Sequence, residues 1–163
     1  FCLIPLIKKK IQIPIIAAGG ISCGKSMLAA MILGADAVQI GSRFVMSHES
    51  SAHINFKNKI LSLKDGDTSL TLKELTPVRM VKNDFYFKLQ KAYSNNATTS
   101  ELKEILGRGR AKRGMFYGDL DEGELEIGQV SAMIKEIMPV SDIISEIIED
   151  FNSAAKKSSR FYL

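Results

Sequence analysis

The segment that runs from Ile13 to Phe44 constrains the fold more than any other part of this sequence. It consists of an apolar strand over Ile13–Ala18, a Gly19-Gly20 turn, a short helix, and a second apolar strand that ends in a Gly41-Ser42 turn. Two strands joined by so compact a helix form a right-handed, parallel βαβ unit. We therefore expect an α/β fold in which the first strand is buried on both faces of a parallel sheet.

The connecting segment is predicted to be a helix over Lys25–Leu33, with Gly34 as its C-terminal cap. The second strand is expected to cover Ala37–Ile40. The helix carries one apolar stripe at i, i+1, i+4 and i+5. The stripe consists of Met27, Leu28, Met31 and Ile32.

The two glycine turns are predicted to lie side by side at the carboxyl edge of neighbouring parallel strands. Each turn presents backbone N–H groups near the start of a helix, which is a favourable place for an anion. Paired loops after the last two strands of a (β/α)8 barrel often bind a phosphate in this way.

A second motif overlaps the first turn, because the run GGISCGKS from Gly19 to Ser26 fits the nucleotide-binding P-loop pattern G-x-x-x-x-G-K-S. A P-loop nucleotide-binding module is therefore an alternative, with Lys25 on a phosphate. Against it, the helix ends at Gly34, and neither the second strand nor a later apolar strand ends in a metal-binding acid. Without a P-loop, Lys25 is expected to be a solvated residue of the first helical turn.

Several spaced motifs between Ile13 and Ile148 together resemble the flavin-dependent nitronate monooxygenases, and the flavin-dependent enoyl-ACP reductases share the pattern. In chain order they are AAGGI, LGADAVQIGSRF, ESSAH, DTSLTL, PVRMVKNDF and EIGQVSAMI. The resemblance implies the C-terminal part of an FMN-binding (β/α)8 TIM barrel with a small α+β insertion lobe. It implies an oxidoreductase that oxidises alkyl nitronates with O2, or alternatively an enoyl-ACP reductase that uses NAD(P)H.

The resemblance also assigns residues to the cofactor site. It implies that the flavin phosphate lies on the two glycine turns, and that Gly128 and Gln129 are candidate pocket residues. The family's catalytic His lies upstream of the AAGGI strand, so no catalytic residue is assigned in this sequence. The residues expected to contact FMN are Gly19, Gly20, Gln39, Ile40, Gly41 and Ser42.

At 163 residues, with 45% hydrophobic and 25% charged residues, the chain has the composition of an ordinary globular domain. A full eight-stranded barrel typically needs about 250 residues, so we expect the C-terminal part of a longer protein. Residues 1–61 are predicted to form the last βα units, residues 62–126 the insertion lobe, and residues 127–163 helices that pack back on the barrel.

The insertion lobe over residues 62–126, and the segment before it, are predicted to contain both helices and strands. The expected strands are Ser69–Leu72 and Val78–Lys82, and the expected helices are Ser51–Leu61, Asp84–Tyr93 and Ser100–Leu106. In the resembling family such a lobe helps to shape the substrate pocket. Three of its residues are candidates to face that pocket, with fold-stabilising roles as the alternative: Arg79, Asn83 and Tyr117.

Two helices are predicted near the end of the chain. The first begins at Gly128 and is interrupted by Pro139, and Ser141 caps the second, which is the most clearly amphipathic of the chain. The tail from Ser153 onward is expected to be frayed.

The titratable residues give little sign of another site. His48 and His53 have no metal-binding spacing and are expected to be structural or surface residues. Cys2 and Cys23 form no redox or metal motif, and their scarcity suits a reducing cytoplasm. Cys23 at a helix start is a candidate reactive thiol, but a small residue tolerated in a turn is the favoured interpretation.

The charge pattern and the N-terminal segment argue against nucleic-acid or membrane partners. The net charge is +4, and the basic run from Arg108 to Arg113 is balanced by acids up to Glu126, so a basic loop is expected rather than a nucleic-acid site. The apolar run Phe1–Ile7 is too short for a membrane helix. The lysines follow this run, whereas the positive charges of a signal peptide come before its apolar segment. A small-molecule substrate is the expected partner, with a homodimer as an open option.

Overall fold

The computed structural model describes residues 1–158 and has a mixed α/β architecture, as predicted. The chain divides into two compact units, one formed by residues 1–49 with the described residues from 138 onward, the other by residues 50–137. No helix within residues 1–158 is both long and apolar enough to cross a membrane. The elements are α1 Leu3–Lys8, β1 Ile16–Ala18, α2 Gly24–Ile32, β2 Ala37–Gln39, α3 Ser42–Val45, α4 Ile54–Leu61, β3 Thr68–Thr71, β4 Val78–Val81, α5 Asp84–Ser94, α6 Thr99–Leu106, α7 Arg110–Met115, a 3-10 helix Gln129–Met133 and α8 Val140–Ser158.

The predicted parallel βαβ motif is present in the first compact unit. β1 and β2 pair in parallel, with Ile16 opposite Ala37 and Ala18 opposite Gln39. The expectation that the first strand is buried on both faces is wrong, because Ile16 is 63% exposed and only Ala17 is buried. Ala17 packs with Ala30 of α2, whereas Ile16 and Ala18, whose side chains point to the opposite face of the strand, are exposed.

Helix α2 ends as expected, since Gly34 follows it with a φ of +112° that suits glycine. The predicted apolar stripe is only partly buried, because Met31 and Ile32 are exposed and Ala30 is the buried side chain of this helix. The small Ala30 packs with Ala17 and Ala35, and Met27 of the stripe packs against this cluster.

Helix α8 departs from the prediction at both ends. It begins at Val140 rather than after a Ser141 cap, because the Glu49 carboxylate accepts the Val140 N–H at 3.0 Å. The segment from Ser153 to Ser158 is helical rather than frayed, in keeping with its alanines and lysines, which are strong helix formers. The rest of the predicted tail lies outside the described residues.

The second unit contains an antiparallel β3–β4 pair whose core includes the buried side chains of Met80, Phe85, Leu89 and Leu102. Helix α5 matches its prediction to within one residue, and α6 begins with a capping box between Thr98 and Glu101. Helix α4 starts at Ile54, three residues later than expected, because the His53 side chain accepts the Asn55 N–H and caps the helix there.

Two segments of the second unit differ in kind from the prediction. The expected basic loop contains helix α7, in which Arg110 stacks over the Phe85 ring at 4.4 Å and pairs with Glu122 at 3.2 Å. The expected helix after Gly128 is only a 3-10 helix, which ends where Ile134 adopts an extended backbone. Of the apolar residues Val130, Met133, Ile134 and Ile137, which have helical spacing in the sequence, Val130 and Ile134 are buried, whereas Met133 is 67% exposed.

Candidate functional site

The pairing of β1 and β2 brings the two glycine turns together. Because Ala18 is opposite Gln39, the Gly19-Gly20 turn and the Ile40-Gly41 turn follow their strands at the same edge of the sheet. Gly41 is also the N-cap of α3, and its carbonyl accepts the Phe44 N–H at 2.9 Å. The structure therefore gathers all six predicted FMN-contacting residues along one edge.

The glycines leave open space above this edge. Gly19 and Gly20 have φ values of +96° and +72°, conformations that side chains with a Cβ rarely adopt. A Cβ atom built on Gly19, Gly20 or Gly41 would meet no other atom within 4 Å. A ligand can therefore approach the backbone closely at both turns, as a phosphate group requires.

The N-terminus of α2, by contrast, is already occupied by side chains of the chain itself. The N–H groups of Ser22 and Cys23 donate to Ser26 Oγ, each at 3.2 Å. The Lys25 N–H donates to Asp150 Oδ2 at 2.9 Å, and Lys25 Nζ lies 3.2 Å from Asp150 Oδ1. The Lys25 N–H holds the pKa of Asp150 below its usual value, so a carboxylate already lies at this helix start.

This arrangement does not support the P-loop alternative. A P-loop needs the backbone N–H groups and the lysine of this segment for phosphates, and here they bind Ser26 and Asp150 instead. The glycine of the motif has a different role, because a Cβ on Gly24 would overlap the backbone of α8 at Ile147 and Phe151. Lys25 is largely solvent-exposed, as expected, but its ammonium group pairs with Asp150.

The candidate pocket residues Gly128 and Gln129 lie in the second unit. Gly128 has an extended backbone and precedes the 3-10 helix, whose first residue, Gln129, is exposed. Two residues further on, the Ser131 hydroxyl is fully buried and has no hydrogen-bond partner among residues 1–158. Their role in a pocket stays a prediction.

The three candidates in the lobe have contacts within the second unit. Asn83 is buried and caps α5, while its amide nitrogen donates to three backbone carbonyls. Arg79 Nη1 donates to the Thr68 hydroxyl at 3.2 Å. Tyr117 is 64% exposed and lies 5.3 Å from the Lys112 ammonium. Asn83 is thus a fold-stabilising residue, and of the three Tyr117 is the most exposed.

The histidines and cysteines have no arrangement that indicates chemistry. His48 is exposed, and His53 caps α4. Cys2 is exposed, and Cys23 Sγ lies 3.4 Å from Ser26 Oγ at the start of α2. Within residues 1–158, no group of three or more His, Cys, Asp or Glu residues is placed to hold a metal ion.

Sequence reasoning missed Arg43, the residue that follows Ser42. Its guanidinium is buried, donates to Glu146 Oε2 at 2.7 Å and to the Met138 sulfur at 3.0 Å, and so joins α3 to α8. A charged residue inside the apolar run GSRFVM was the available signal. Arg43 fixes α3, and therefore Gly41 and Ser42 at its start.

Buried carboxylates are the second feature that the sequence did not predict. Glu124, which is buried, and Glu126, which is partly buried, lie on either side of Leu125 in a segment that is bridged to β4. Burial is the main reason that the pKa of Glu124 is raised from 4.5 to about 7. The negative charge of Glu126 also raises this pKa, and the positive charge of Arg110 lowers it. Burial also raises the pKa of Glu126. Between pH 4.5 and about 7, the carboxyl group of Glu124 is therefore protonated in the folded state and ionised in the unfolded state.

We expect this proton to make stability fall as the pH rises. The pKa of Glu124 is higher in the folded state than in the unfolded state. The contribution of this proton to the free energy of unfolding is therefore complete below pH 4.5 and is lost as the pH rises through about 7. The loss is at most about 3 kcal/mol. Glu124→Gln should be more stable than wild type at pH 8 and similar to it at pH 4, as measured by urea unfolding across this range. Glu104→Gln, at an exposed position, is the control, and wild-type and Glu124→Gln curves that stay parallel would contradict the expectation.

Comparison with known proteins gives consistent matches. A family model described as nitronate monooxygenase matches residues 1–150. A probable nitronate monooxygenase of Staphylococcus saprophyticus is 35% identical over 120 residues, which cover 68% of this chain and 34% of that protein. One from Bacillus subtilis is 29% identical over 149 residues, which cover 91% and 43% of the respective chains. The chain thus spans less than half the length of these relatives.

Solved structures resemble the chain over almost its whole length. FabK from Thermotoga maritima has a TM-score of 0.91 and 37% identity, over 99% of this chain and 51% of that one. A nitroalkane oxidase from Streptomyces ansochromogenes has a TM-score of 0.75 and 26% identity, over 95% and 44% of the respective chains.

Proposed function

The chain belongs to the nitronate monooxygenase family, and from that membership we propose that it forms part of an FMN-dependent oxidoreductase that oxidises alkyl nitronates with O2. In this proposal the βαβ unit is the C-terminal part of a (β/α)8 barrel in a cytoplasmic enzyme. The observation that carries the proposal is the pair of glycine turns at one sheet edge, with open space where a Cβ would project.

The residues present fit the phosphate end of a flavin mononucleotide. Gly19, Gly20 and Gly41 would let the phosphate approach the backbone, and the Ser42 hydroxyl would donate to a phosphate oxygen. Bound FMN supplies the redox chemistry, whereas the protein binds and orients it. Arg43 would contribute by holding α3, and with it the second turn, against α8. The proton-accepting residue is not assigned to this chain.

The direct test is the cofactor content of the complete enzyme that contains this chain, purified without added cofactor. Flavin absorbance bands, with FMN released into solution on denaturation, would support the proposal. A colourless protein that cannot be reconstituted with FMN would refute it. The second activity, enoyl-ACP reduction, rests on the shared sequence motifs and is distinguished by assay. Reduction of the flavin by an alkyl nitronate, followed by its reoxidation by O2, supports the first activity, and NAD(P)H oxidation with an enoyl thioester supports the second.

Substitution of Gly41 tests the proposed phosphate position. Its φ of −102° is accessible to other residues, and a Cβ there meets no protein atom within 4 Å, so the fold should tolerate a side chain. We expect Gly41→Val to weaken FMN binding at least about tenfold, because the branched side chain would fill the space for the phosphate. Binding is measured by fluorescence titration of the apoprotein.

Gly41→Ala provides a graded comparison, since its single methyl group should weaken binding less than valine does. The unfolding temperature of both apoproteins should stay near that of wild type. Unchanged FMN affinity in a folded Gly41→Val protein would remove this turn from the proposed site.

A further inference from the structure

Two carboxylates of α8 contact the starts of the two helices that follow the glycine turns. Asp150 Oδ2 accepts the Lys25 N–H of α2 at 2.9 Å. Glu146 Oε2 accepts a hydrogen bond from the Arg43 guanidinium of α3 at 2.7 Å. Glu146 and Asp150 are four positions apart in α8, so they lie one helical turn apart on the same face. One face of α8 therefore holds the helix start behind each glycine turn.

The pairing of β1 with β2 does not by itself fix the positions of the turns. The register of the two strands ends at Ala18 and Gln39, so the turn residues lie beyond the last pair. The first turn consists of Gly19 and Gly20, and glycine is the residue with the greatest backbone freedom. Helix α3 has only the four residues Ser42–Val45, which is too short to be stable on its own. Both turns are therefore held by contacts further along the chain.

The contact of α8 with the start of α2 has several parts. In addition to the bond from the Lys25 N–H, Lys25 Nζ lies 3.2 Å from Asp150 Oδ1. Gly24 packs directly on the backbone of α8, because a Cβ there would overlap the Ile147 carbonyl. Only three residues separate Gly20 from α2. A shift of this helix start would therefore move the first turn with it.

The contact of α8 with α3 compensates a buried charge. The Arg43 side chain is only 7% exposed, whereas that of Glu146 is 51% exposed. A buried guanidinium is strongly destabilising without a countercharge and hydrogen-bond acceptors. Glu146 supplies a carboxylate, and the Met138 sulfur accepts a second bond at 3.0 Å. Because Arg43 directly follows Ser42, this contact fixes the second turn.

We propose that Glu146 and Asp150 are positioning residues of the phosphate site, and that each holds one of the two glycine turns in place for the phosphate. The inference rests on the proposed function, in which the flavin phosphate lies on these turns. A carboxylate is repelled by a phosphate, so neither residue is assigned a contact with the cofactor. Both act through the helices that they hold, Asp150 through α2 and Glu146 through α3.

Positioning and direct electrostatics predict opposite changes in FMN binding. Removal of a negative charge near an anionic phosphate would, by charge alone, strengthen the binding of FMN. If the carboxylates position the turns, their removal weakens the binding of FMN, because the turns are no longer preorganised. Riboflavin lacks the phosphate, so its affinity reports on the rest of the flavin site and should not change.

The experiment titrates the apoprotein of the complete enzyme that contains this chain with FMN and, separately, with riboflavin. We expect Asp150→Ala to raise the Kd of FMN about tenfold and to change that of riboflavin less than about twofold. Asp150→Asn should restore FMN binding, because the amide oxygen can still accept the Lys25 N–H. Glu149→Gln is the matched control, since it removes a charge at the neighbouring, exposed position of α8 and should leave both affinities unchanged.

The Glu146 variants test the second turn in the same way. Glu146→Ala should weaken FMN binding selectively, and Glu146→Gln should restore it by accepting the bond from Arg43. Thermal unfolding first establishes that each apoprotein is folded, and the Asp150 variants decide the test if Glu146→Ala does not fold. Tighter or unchanged FMN binding in Asp150→Ala, or an equal loss of FMN and riboflavin binding, would overturn the proposal. A wild-type enzyme that binds no FMN would refute the proposed function itself, so the two failures are distinguishable.

Discussion

Replacing Asn83 by Asp is expected to lower the free energy of unfolding at pH 7 by about 4 kcal/mol, enough to unfold many domains of this size. Asn83 is buried, and its Nδ2 donates to the carbonyls of Leu120 and Gly123 at 2.8 Å and to that of Asp121 at 3.1 Å. Aspartate would place a carboxylate oxygen against these three carbonyls. The cap would survive, because the other side-chain oxygen can still accept the Tyr86 N–H.

The comparison with Asn83→Ala separates repulsion from loss of hydrogen bonds. Alanine removes the cap and all three donated bonds, which should cost about 3 kcal/mol. The aspartate variant should recover part of its stability near pH 4, where a protonated carboxyl donates again, while the alanine variant should not. Asn95→Asp is the control at an exposed position, with an expected change below about 0.5 kcal/mol. Urea unfolding at pH 4 and pH 7 measures the stability of all three variants. If the aspartate variant is as stable as wild type at pH 7, the three hydrogen bonds donated by the Asn83 side chain are absent.

Replacing Gly24 by Ala is expected to lower the free energy of unfolding by about 3 kcal/mol, at the upper end of the usual cost of overpacking. A Cβ there would lie 2.6 Å from the Phe151 Cα and would also overlap the Phe151 nitrogen and the Ile147 carbonyl. These are backbone atoms of α8, so no rotamer change can make room. The expected fall in unfolding temperature is roughly 6–12 °C.

The control for Gly24→Ala is Lys25→Ala, one position along the same helix. Lys25 is largely exposed, and loss of its ion pair with Asp150 should cost below about 1 kcal/mol. Both variants are compared by thermal unfolding without nucleotide. If Gly24→Ala is as stable as wild type, then α2 and α8 do not approach each other as closely as described.

The sequence was most informative where one local pattern fixes the backbone. The apolar runs and the Gly34 cap predicted β1, α2 and β2, because crossover length and glycine conformation are local properties. The same holds for α6, whose Thr98 and Glu101 form a capping box readable from the letters alone. The six residues of the candidate site were brought together for this reason, since parallel pairing places both turns at one edge.

The errors arose where a side-chain contact that no sequence pattern reveals decides the local structure. Glu49 sets the start of α8, and His53 displaces the start of α4, although neither fits the usual preference for a cap. Arg110 belongs to a helix because its side chain stacks on Phe85 and binds Glu122, contacts that no periodicity reveals. The burial of Arg43 and the raised pKa of Glu124 likewise depend on tertiary neighbours.

The carboxylate of Asp150 has a consequence for how such sequences are classified. This carboxylate accepts the Lys25 N–H, although the two residues are 125 positions apart in the sequence. A pattern search reads the eight contiguous letters of GGISCGKS and scores a complete nucleotide motif. Whether that helix start is available to an outside anion depends on a residue that the search never reads. Automated assignment of nucleotide binding to related sequences should therefore be conditional on the residue that aligns with Asp150.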